Sequence, residues 1–222
     1  MPLNGLEILL AGGGGGLGQA SAQLLASEGA RVVVGSRSRG VLADITLEQD
    51  RQRLLDAAPE LYGLVVFTGT PARGTGADGL RLSMEVNYAG PIALAREAAE
   101  RMKARGTQGA IVLLSTMQAV ALFPGSTAYA GAKAALQHAA RILAKECRGA
   151  ANIRVNVIAP GVTAAGMAEA SIASGKYDRY LKEGVLHRFG EAVDVARAVR
   201  FLLEPDNYIT GQVLSVDGGI TL

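Results

Sequence analysis

The sequence predicts an α/β protein with a doubly wound, mostly parallel sheet in a single domain that covers residues 1–222. Short, nearly unbroken apolar runs alternate with alanine-rich stretches of helical character. Parallel strands covered on both faces have such unbroken runs, and alternation of strand with helix produces βαβ units. A chain with 49% hydrophobic and 19% charged residues is also expected to fold rather than remain disordered.

Six segments are predicted as strands from their apolar and β-branched residues. They are EILLA from Glu7, RVVVG from Arg31, GLVVF from Gly63, AIVLLS from Ala110, IRVNVIA from Ile153 and QVLSV from Gln212. The helical segments are the region around Leu17, Ala20 and Leu24, followed by 90–104, 129–147 and 192–203. Sheets of this kind bind ligands beyond the carboxyl ends of their strands, so functional residues are expected directly after strands.

One connection is unusually short. Few residues separate GSR at 35–37 from ADIT at 43–46, whereas a parallel crossover with its helix usually takes about 10–12 residues. The third strand is therefore expected to be short, missing, or reached without a packed helix, which leaves the second crossover helix truncated.

Composition excludes several classes of partner. The net charge of +2 is too small to favour nucleic acid or an anionic membrane surface, and no apolar run approaches the roughly 20 residues of a membrane span. The single cysteine, Cys147, cannot form an intramolecular disulfide, and a buried structural thiol is favoured over a reactive one. We expect a cytoplasmic protein that binds a small molecule and uses no metal.

The glycine-rich segment AGGGGGLG, residues 11–18, lies between the first strand and the first helix. Gly12 would permit a tight turn, Gly16 would let the backbone approach a pyrophosphate, and Gly18 would let helix pack closely on strand. The helix N-terminus, which includes Leu17, supplies N–H groups and a positive dipole end. Five consecutive glycines fit the motif in more than one register, so a flexible loop without function is the alternative.

The residues after the second strand bear on cofactor choice. Ser36, Arg37, Ser38 and Arg39 follow one another, and the next carboxylate is Asp44. An acidic residue there would bind the ribose 2′-hydroxyl of NAD, whereas arginine suits a 2′-phosphate. We predict NADP, with NAD possible; the alternative is that these arginines belong to a solvated loop.

Tyr129 and Lys133 are four residues apart in a helical segment and therefore share a face. A phenol titrates near pH 10, and a neighbouring ammonium stabilises phenolate and lowers that pKa. The pair is expected to exchange a proton with an alcohol or carbonyl oxygen. The alternative is an ordinary exposed helix face.

Four motifs together resemble the short-chain dehydrogenases/reductases, in the right order along nearly the whole chain. They are AGGGGGLG, YAGAK, VNVIAPG and YITGQVLSVDGG. The resemblance implies a Rossmann-type fold, a nicotinamide cofactor, and hydride transfer between a ketone and a secondary alcohol. It also implies a homodimer or homotetramer.

The resemblance assigns catalytic roles as well. Tyr129 is similar to the catalytic acid/base, Lys133 to the lysine that lowers its pKa and binds the nicotinamide ribose, and Asn87 to the asparagine that holds a water in the proton relay. The family's serine lies thirteen positions before its tyrosine, which corresponds to Thr116. Neighbours on a strand face opposite sides, so Thr116 is favoured, and Ser115 is the alternative.

Further positions match cofactor contacts of the family. Asp44 and Ile45 match the pair at the adenine, and the segment with Pro160, Gly161 and Thr163 matches the nicotinamide side. Where the family has NNAG the chain reads VFTG at 66–69, so Gly69 is retained and both side-chain amides are lost. This loss favours an alternative: a nucleotide-binding sensor or scaffold with little or no turnover. A lyase or epimerase that uses the same tyrosine is the third possibility.

The substrate is not specified by these motifs. Aromatic and sulfur-containing side chains suggest a partly apolar cleft, although a lid or a core would use the same residue types. The candidates are Met117, Phe123, Met167, Tyr177, Tyr180, His187 and Phe189.

Overall fold

The computed structural model describes residues 3–71 and 76–222. Within these ranges seven strands form one parallel sheet in the order β3-β2-β1-β4-β5-β6-β7. The strands are β1 Glu7–Ala11, β2 Arg31–Ser36, β3 Val41–Leu42, β4 Leu61–Val66, β5 Gly109–Leu114, β6 Ile153–Pro160 and β7 Val213–Val216. The predicted doubly wound α/β fold is confirmed.

Helices cover both faces of this sheet. They are α1 Gly16–Ser27, α2 Glu48–Asp56, α3 Ala77–Met84, α4 Gly90–Ala104, α5 Thr127–Glu146, α6 Glu169–Ala173, α7 Asp178–Lys182 and α8 Ala192–Leu203. A π-helical turn, Glu85–Ala89, joins α3 to α4, and 3₁₀ turns lie at Met117–Ala119 and Gly166–Ala168. In the part of the chain that is described, no helix is both long and apolar enough to cross a bilayer.

The unbroken apolar runs of the sequence correspond to strands buried on both faces. Every residue of β1, β4, β5 and β6 is buried. Successive side chains point to opposite faces, so Leu9 packs in the core beneath α2, α4 and α5, whereas Ile8 and Leu10 pack in the core beneath α1 and α8. Each face thus has its own apolar core.

The third strand is short, as predicted, and no helix precedes it. β3 contains only Val41 and Leu42, and four residues connect it to β2. Gly40 closes this connection with a positive φ of 68°, and a Cβ there would collide with the Val34 carbonyl. The turn therefore requires glycine.

The strand order reverses between β1 and β4, which neighbour each other although β2 and β3 lie between them in the chain. Connections on either side of such a reversal diverge and open a crevice at the carboxyl ends of the strands. A cleft of about 790 Å³ occupies this position.

Candidate active site

The cleft brings together residues from the carboxyl ends of six strands, β1 to β6. The predicted residues that line it are Gly12, Gly16, Leu17, Gly18, Ser36, Arg37, Asp44, Ile45, Gly69, Ser115, Thr116, Tyr129, Pro160, Gly161 and Thr163. Asn87 and Lys133 lie behind its wall, 0% and 2% exposed. All the predicted site residues therefore converge on one end of the sheet.

The glycine-rich turn is compact enough to exclude most side chains. Gly12 has a φ of 77°, and a Cβ on it would lie 2.8 Å from the backbone nitrogen of Thr68. A Cβ on Gly18 would collide with the backbone of Gly13. The turn therefore packs against the segment after β4 at Gly12, and α1 packs against the turn at Gly18. Both contacts are too close for any side chain.

The N-terminus of α1 opens into the cleft. Gly15 occupies the N-cap and provides no capping side chain, and its own Cβ position meets nothing within 4 Å. The first turn contains no acidic residue. Uncapped N–H groups and the positive end of the helix dipole favour an anion at this point, so the glycine cradle fits the pyrophosphate of a dinucleotide.

The residues after β2 and β3 form the opposite end of the cleft. The Ser36 hydroxyl donates to the Arg39 carbonyl at 2.9 Å and accepts from the Arg39 N–H at 2.8 Å, so it shapes the turn. Arg37 is exposed on this turn. Asp44 accepts from the Thr46 N–H at 3.0 Å, and Ile45 is buried. Arg37 therefore places an exposed positive charge at this end of the cleft.

Tyr129 lies in the first turn of α5, one turn before Lys133. The Lys133 ammonium donates to the Leu114 carbonyl at 2.7 Å and to the Thr68 carbonyl at 3.2 Å. Burial lowers the pKa of Lys133 to about 7. Burial also raises the pKa of Tyr129 to about 12, and a hydrogen-bonding interaction with the Thr116 side chain acts in the opposite direction.

Burial dominates the pKa of Tyr129 in this structure, and the expectation that Lys133 lowers that pKa stays a prediction. The lysine is held by backbone carbonyls below the cleft, and its own burial disfavours the charge that would stabilise a phenolate. With its pKa raised by burial, the Tyr129 phenol is protonated around neutral pH.

The burial of Lys133 predicts a pH-dependent stability. Its pKa is about 7 in the folded chain and 10.5 in the unfolded chain, so the unfolded state binds more protons between these values. The free energy of unfolding should rise with pH across this window, by up to about 1.4 kcal/mol per pH unit. Urea denaturation from pH 7.5 to 9.5 measures the slope.

Lys133→Met should lose this rise, because the variant has no proton to release. Lys145→Met is the matched control, since Lys145 is exposed on the same helix, and it should keep the wild-type slope. If the free energy of unfolding rises equally steeply with pH in wild type and in Lys133→Met, the lowered pKa of Lys133 is contradicted.

The two adjacent hydroxyls after β5 have different surroundings. The Ser115 hydroxyl donates to the Lys133 carbonyl at 3.3 Å and accepts from the Gln137 side chain at 2.9 Å. The Thr116 hydroxyl accepts from the Gln118 N–H at 3.3 Å and interacts with Tyr129. Ser115 is thus engaged by α5, and Thr116 adjoins the phenol.

Asn87 fixes the loop that follows β4. It lies in the π-helical turn, where its side-chain oxygen accepts from the Thr70 N–H at 2.9 Å and its amide donates to the Thr70 carbonyl at 3.0 Å. The same amide donates to the Ser83 hydroxyl at 3.1 Å. A Cβ on Gly69 would lie 3.3 Å from the Asn87 oxygen. Asn87 and Lys133 together hold the backbone of residues 68–70.

The nicotinamide side predicted from VNVIAPG also approaches its neighbours closely. A Cβ on Gly161 would lie 2.6 Å from the Cα of Asp217. Thr163 is buried, bridges to Gly190, and donates to the Gly161 carbonyl at 3.4 Å. Sequence reasoning missed other residues of the site, because no motif marks them. They are Gln118, Ser126 and Lys176, which line the cleft, and Ser83, Thr70 and Gln137, which support it.

The fold and the site define a nucleotide-binding oxidoreductase of a known class. Residues 43–221 match the family model described as enoyl-(acyl carrier protein) reductase. A solved structure titled short chain dehydrogenase/reductase family protein superposes with a TM-score of 0.88 at 32% identity, covering 100% of this chain and 99% of that one. The chain belongs to the short-chain dehydrogenase/reductase family.

Individual relatives are reductases by name. Carbonyl reductase family member 4 of Danio rerio is 34% identical over 236 residues, which cover 95% of this chain and 96% of the relative. The 3-oxoacyl-[acyl-carrier-protein] reductase of Mus musculus is 34% identical over 235 residues, with the same coverage. A short-chain type dehydrogenase/reductase from Mycobacterium ulcerans has a TM-score of 0.90 at 29% identity, covering 100% of this chain and 91% of that one.

Proposed function

We propose that this protein reduces a ketone or aldehyde to an alcohol with NADPH, with Tyr129 as the acid. The observation that carries the proposal is the protonated Tyr129 phenol beside the Thr116 hydroxyl, at the edge of a cleft whose other end is a glycine-lined anion cradle. The reductase names of the relatives agree with this direction of reaction.

Two hydroxyl groups act on the substrate oxygen. The Tyr129 phenol donates a hydrogen bond to the carbonyl oxygen and transfers its proton as negative charge develops there. Thr116 donates a second hydrogen bond to the same oxygen, which stabilises that charge. The hydride for the carbonyl carbon would come from a nicotinamide held in the cleft. Burial raises the pKa of Tyr129 to about 12, so the phenol is protonated at neutral pH and can donate to the carbonyl oxygen.

Lys133 and Asn87 act on the floor of the site. Their hydrogen bonds to Thr68 and Thr70 fix the backbone after β4, opposite the Gly12 turn. We propose that these hydrogen bonds to the backbone of Thr68 and Thr70 compensate in part for the two side-chain amides that VFTG, residues 66–69, lacks relative to NNAG. The ribose contact that the family resemblance implies for Lys133 stays a prediction from the sequence, because its ammonium donates to the Thr68 and Leu114 carbonyls behind the cleft wall.

NADP is proposed over NAD because of the charge at the end of β2. Arg37 is exposed there beside the cleft, and the nearby carboxylate, Asp44, accepts hydrogen bonds within its own turn. One relative carries this preference in its name, the NADPH-dependent aldehyde reductase-like protein of Arabidopsis thaliana, at 29% identity over 99% of this chain.

Arg37→Ala is therefore expected to raise the Kd for NADPH about tenfold and to leave the Kd for NADH nearly unchanged, since a charge-assisted hydrogen bond to phosphate contributes roughly 1.5 kcal/mol or more. Titration of the cofactor by nucleotide fluorescence measures both constants. Arg31→Ala, at the opposite end of β2, removes the same charge and is the control. An equal loss for both nucleotides would contradict the 2′-phosphate contact.

Turnover separates the reductase from the alternative of a nucleotide sensor. Wild-type protein with NADPH and a panel of ketones and aldehydes should consume reduced nicotinamide and form the alcohol. Binding of NADPH without consumption across the panel would favour the sensor. A homodimer or homotetramer and a cytoplasmic location remain predictions from the sequence.

A further inference from the structure

The part of the cleft next to Thr116 and Tyr129 has an apolar wall. Met117, Val162 and Tyr177 are buried together in a small core of their own, and all three line the cleft. Phe123 and Tyr180 pack against this core. Met117 directly follows Thr116 in the chain, so the wall adjoins the proposed reaction centre and forms the substrate end of the cleft.

One cation lies at this substrate end. Among the charged residues that line the cleft in the described ranges, Arg37 and Asp44 follow β2 and β3 at the far end, and Lys176 lies on the segment between α6 and α7. The Lys176 ammonium lies 5.5 Å from the centroid of the Tyr177 ring, over the apolar wall. The Lys176 side chain is exposed and lines the cleft, so a substrate bound there can reach its ammonium.

No carboxylate neutralises this ammonium within residues 3–71 and 76–222, where its distance to every acidic oxygen exceeds 4.0 Å. The acidic residues of the same segment have other neighbours. Glu169 accepts a hydrogen bond from the Gly166 N–H at 2.8 Å, and the Asp178 carboxylate lies against Gly175. The neighbouring Arg179 is engaged elsewhere, since its guanidinium stacks on Tyr180.

We propose that Lys176 binds a carboxylate of the substrate, so that the preferred substrates are oxo acids. The inference rests on the proposed reductase function. A single ammonium matches a singly charged carboxylate, whereas phosphate sites usually gather several donors or an arginine fork. The apolar wall would then contact the carbon chain between the carboxylate and the carbonyl.

The test compares matched pairs of substrates that differ only in charge. Pyruvate, acetoacetate and levulinate are each paired with the methyl ester, at saturating NADPH. Wild type should prefer the acid in at least one pair. Lys176→Met should raise KM for that acid about fivefold, as expected of a partly exposed ion pair, with kcat and the ester kinetics unchanged. Lys176→Arg should restore the preference, and Lys182→Met, exposed on α7, should behave as wild type.

Each other outcome overturns the inference. An equal loss for acid and ester in Lys176→Met would assign Lys176 to packing of the segment. A raised Kd for NADPH, measured by fluorescence titration, would assign it to the cofactor phosphates. Preference of the wild type for the ester in every pair would exclude a carboxylate contact while the reductase function stands. Reduction of neither member in any pair, by protein that does reduce other carbonyl compounds of the panel, would exclude oxo acids as substrates while the reductase function stands.

Discussion

Replacing Tyr129 with Phe is expected to lower kcat for carbonyl reduction by about 10²–10⁴-fold, the usual contribution of a positioned general acid. The variant keeps the ring that lines the cleft and loses only the hydroxyl beside Thr116. The Kd for NADPH should therefore change little. Steady-state reduction by the purified variant, together with fluorescence titration of NADPH, measures both quantities.

Tyr208→Phe is the matched control, because Tyr208 is fully exposed and away from the cleft, and it should have wild-type activity. Wild-type turnover by Tyr129→Phe would exclude Tyr129 as the acid while leaving the fold and the cofactor site unaffected. Loss of NADPH binding in the same variant would assign Tyr129 to the cofactor site instead.

The hydroxyls of Thr116 and Ser115 should have unequal effects on catalysis. Thr116→Val keeps the shape of the side chain and removes the donor to the substrate oxygen, and kcat should fall by about 10²–10³-fold. Ser115→Ala should leave kcat within a few-fold of wild type. It should instead lower the free energy of unfolding by about 1 kcal/mol, because its hydrogen bonds to the Lys133 carbonyl and to Gln137 are lost.

Kinetics at saturating substrate and urea denaturation of both variants separate the two roles. The reverse result, with a large loss of kcat in Ser115→Ala and a small one in Thr116→Val, would overturn the assignment. Gln137→Ala provides a further control, since it removes one of the two Ser115 hydrogen bonds and should lose part of the stability that Ser115→Ala loses.

Much of the fold could be predicted because parallel strands have a strong local signal. The strands from Glu7, Arg31, Gly63, Ala110, Ile153 and Gln212 are all present, with bounds that shift by one or two residues. The helix α2 was not predicted, because EQDRQRLLD is largely polar and buries only Leu54, Leu55 and the stem of Arg51. The short helices α6 and α7 were not predicted either, because five residues are too few to show a periodic apolar face.

The residues of the candidate site were predictable from motifs, whereas their electrostatics were not. The spacing of Tyr129 and Lys133 indicates a shared helix face, but it does not reveal how deeply each side chain is buried. Lys133 reaches the carbonyls of Thr68 and Leu114, on segments far away in the chain, and this environment determines its pKa. Likewise, Gln137 decides the orientation of Ser115 from 22 residues away.

The sequence also left the substrate end undefined. Met117 and Tyr177 were candidates for the cleft by residue type, and both line it. Lys176 was not singled out, because a lone lysine in a polar segment has no pattern. Its position over the Tyr177 ring becomes visible only when the segment between α6 and α7 folds onto the strand ends.

Transfer of deuterium from the cofactor tests the central claim most directly. Wild-type protein is incubated with NADPH that carries deuterium at both hydrogen positions of the reactive nicotinamide carbon, so that transfer from either face delivers the label, and with an oxo compound that it consumes in the substrate panel. Mass spectrometry of the product should find an alcohol one mass unit heavier than its unlabelled form, and Tyr129→Phe should form it far more slowly. An unlabelled alcohol, or tight NADPH binding with no alcohol across the panel, would contradict the account of this protein as a reductase.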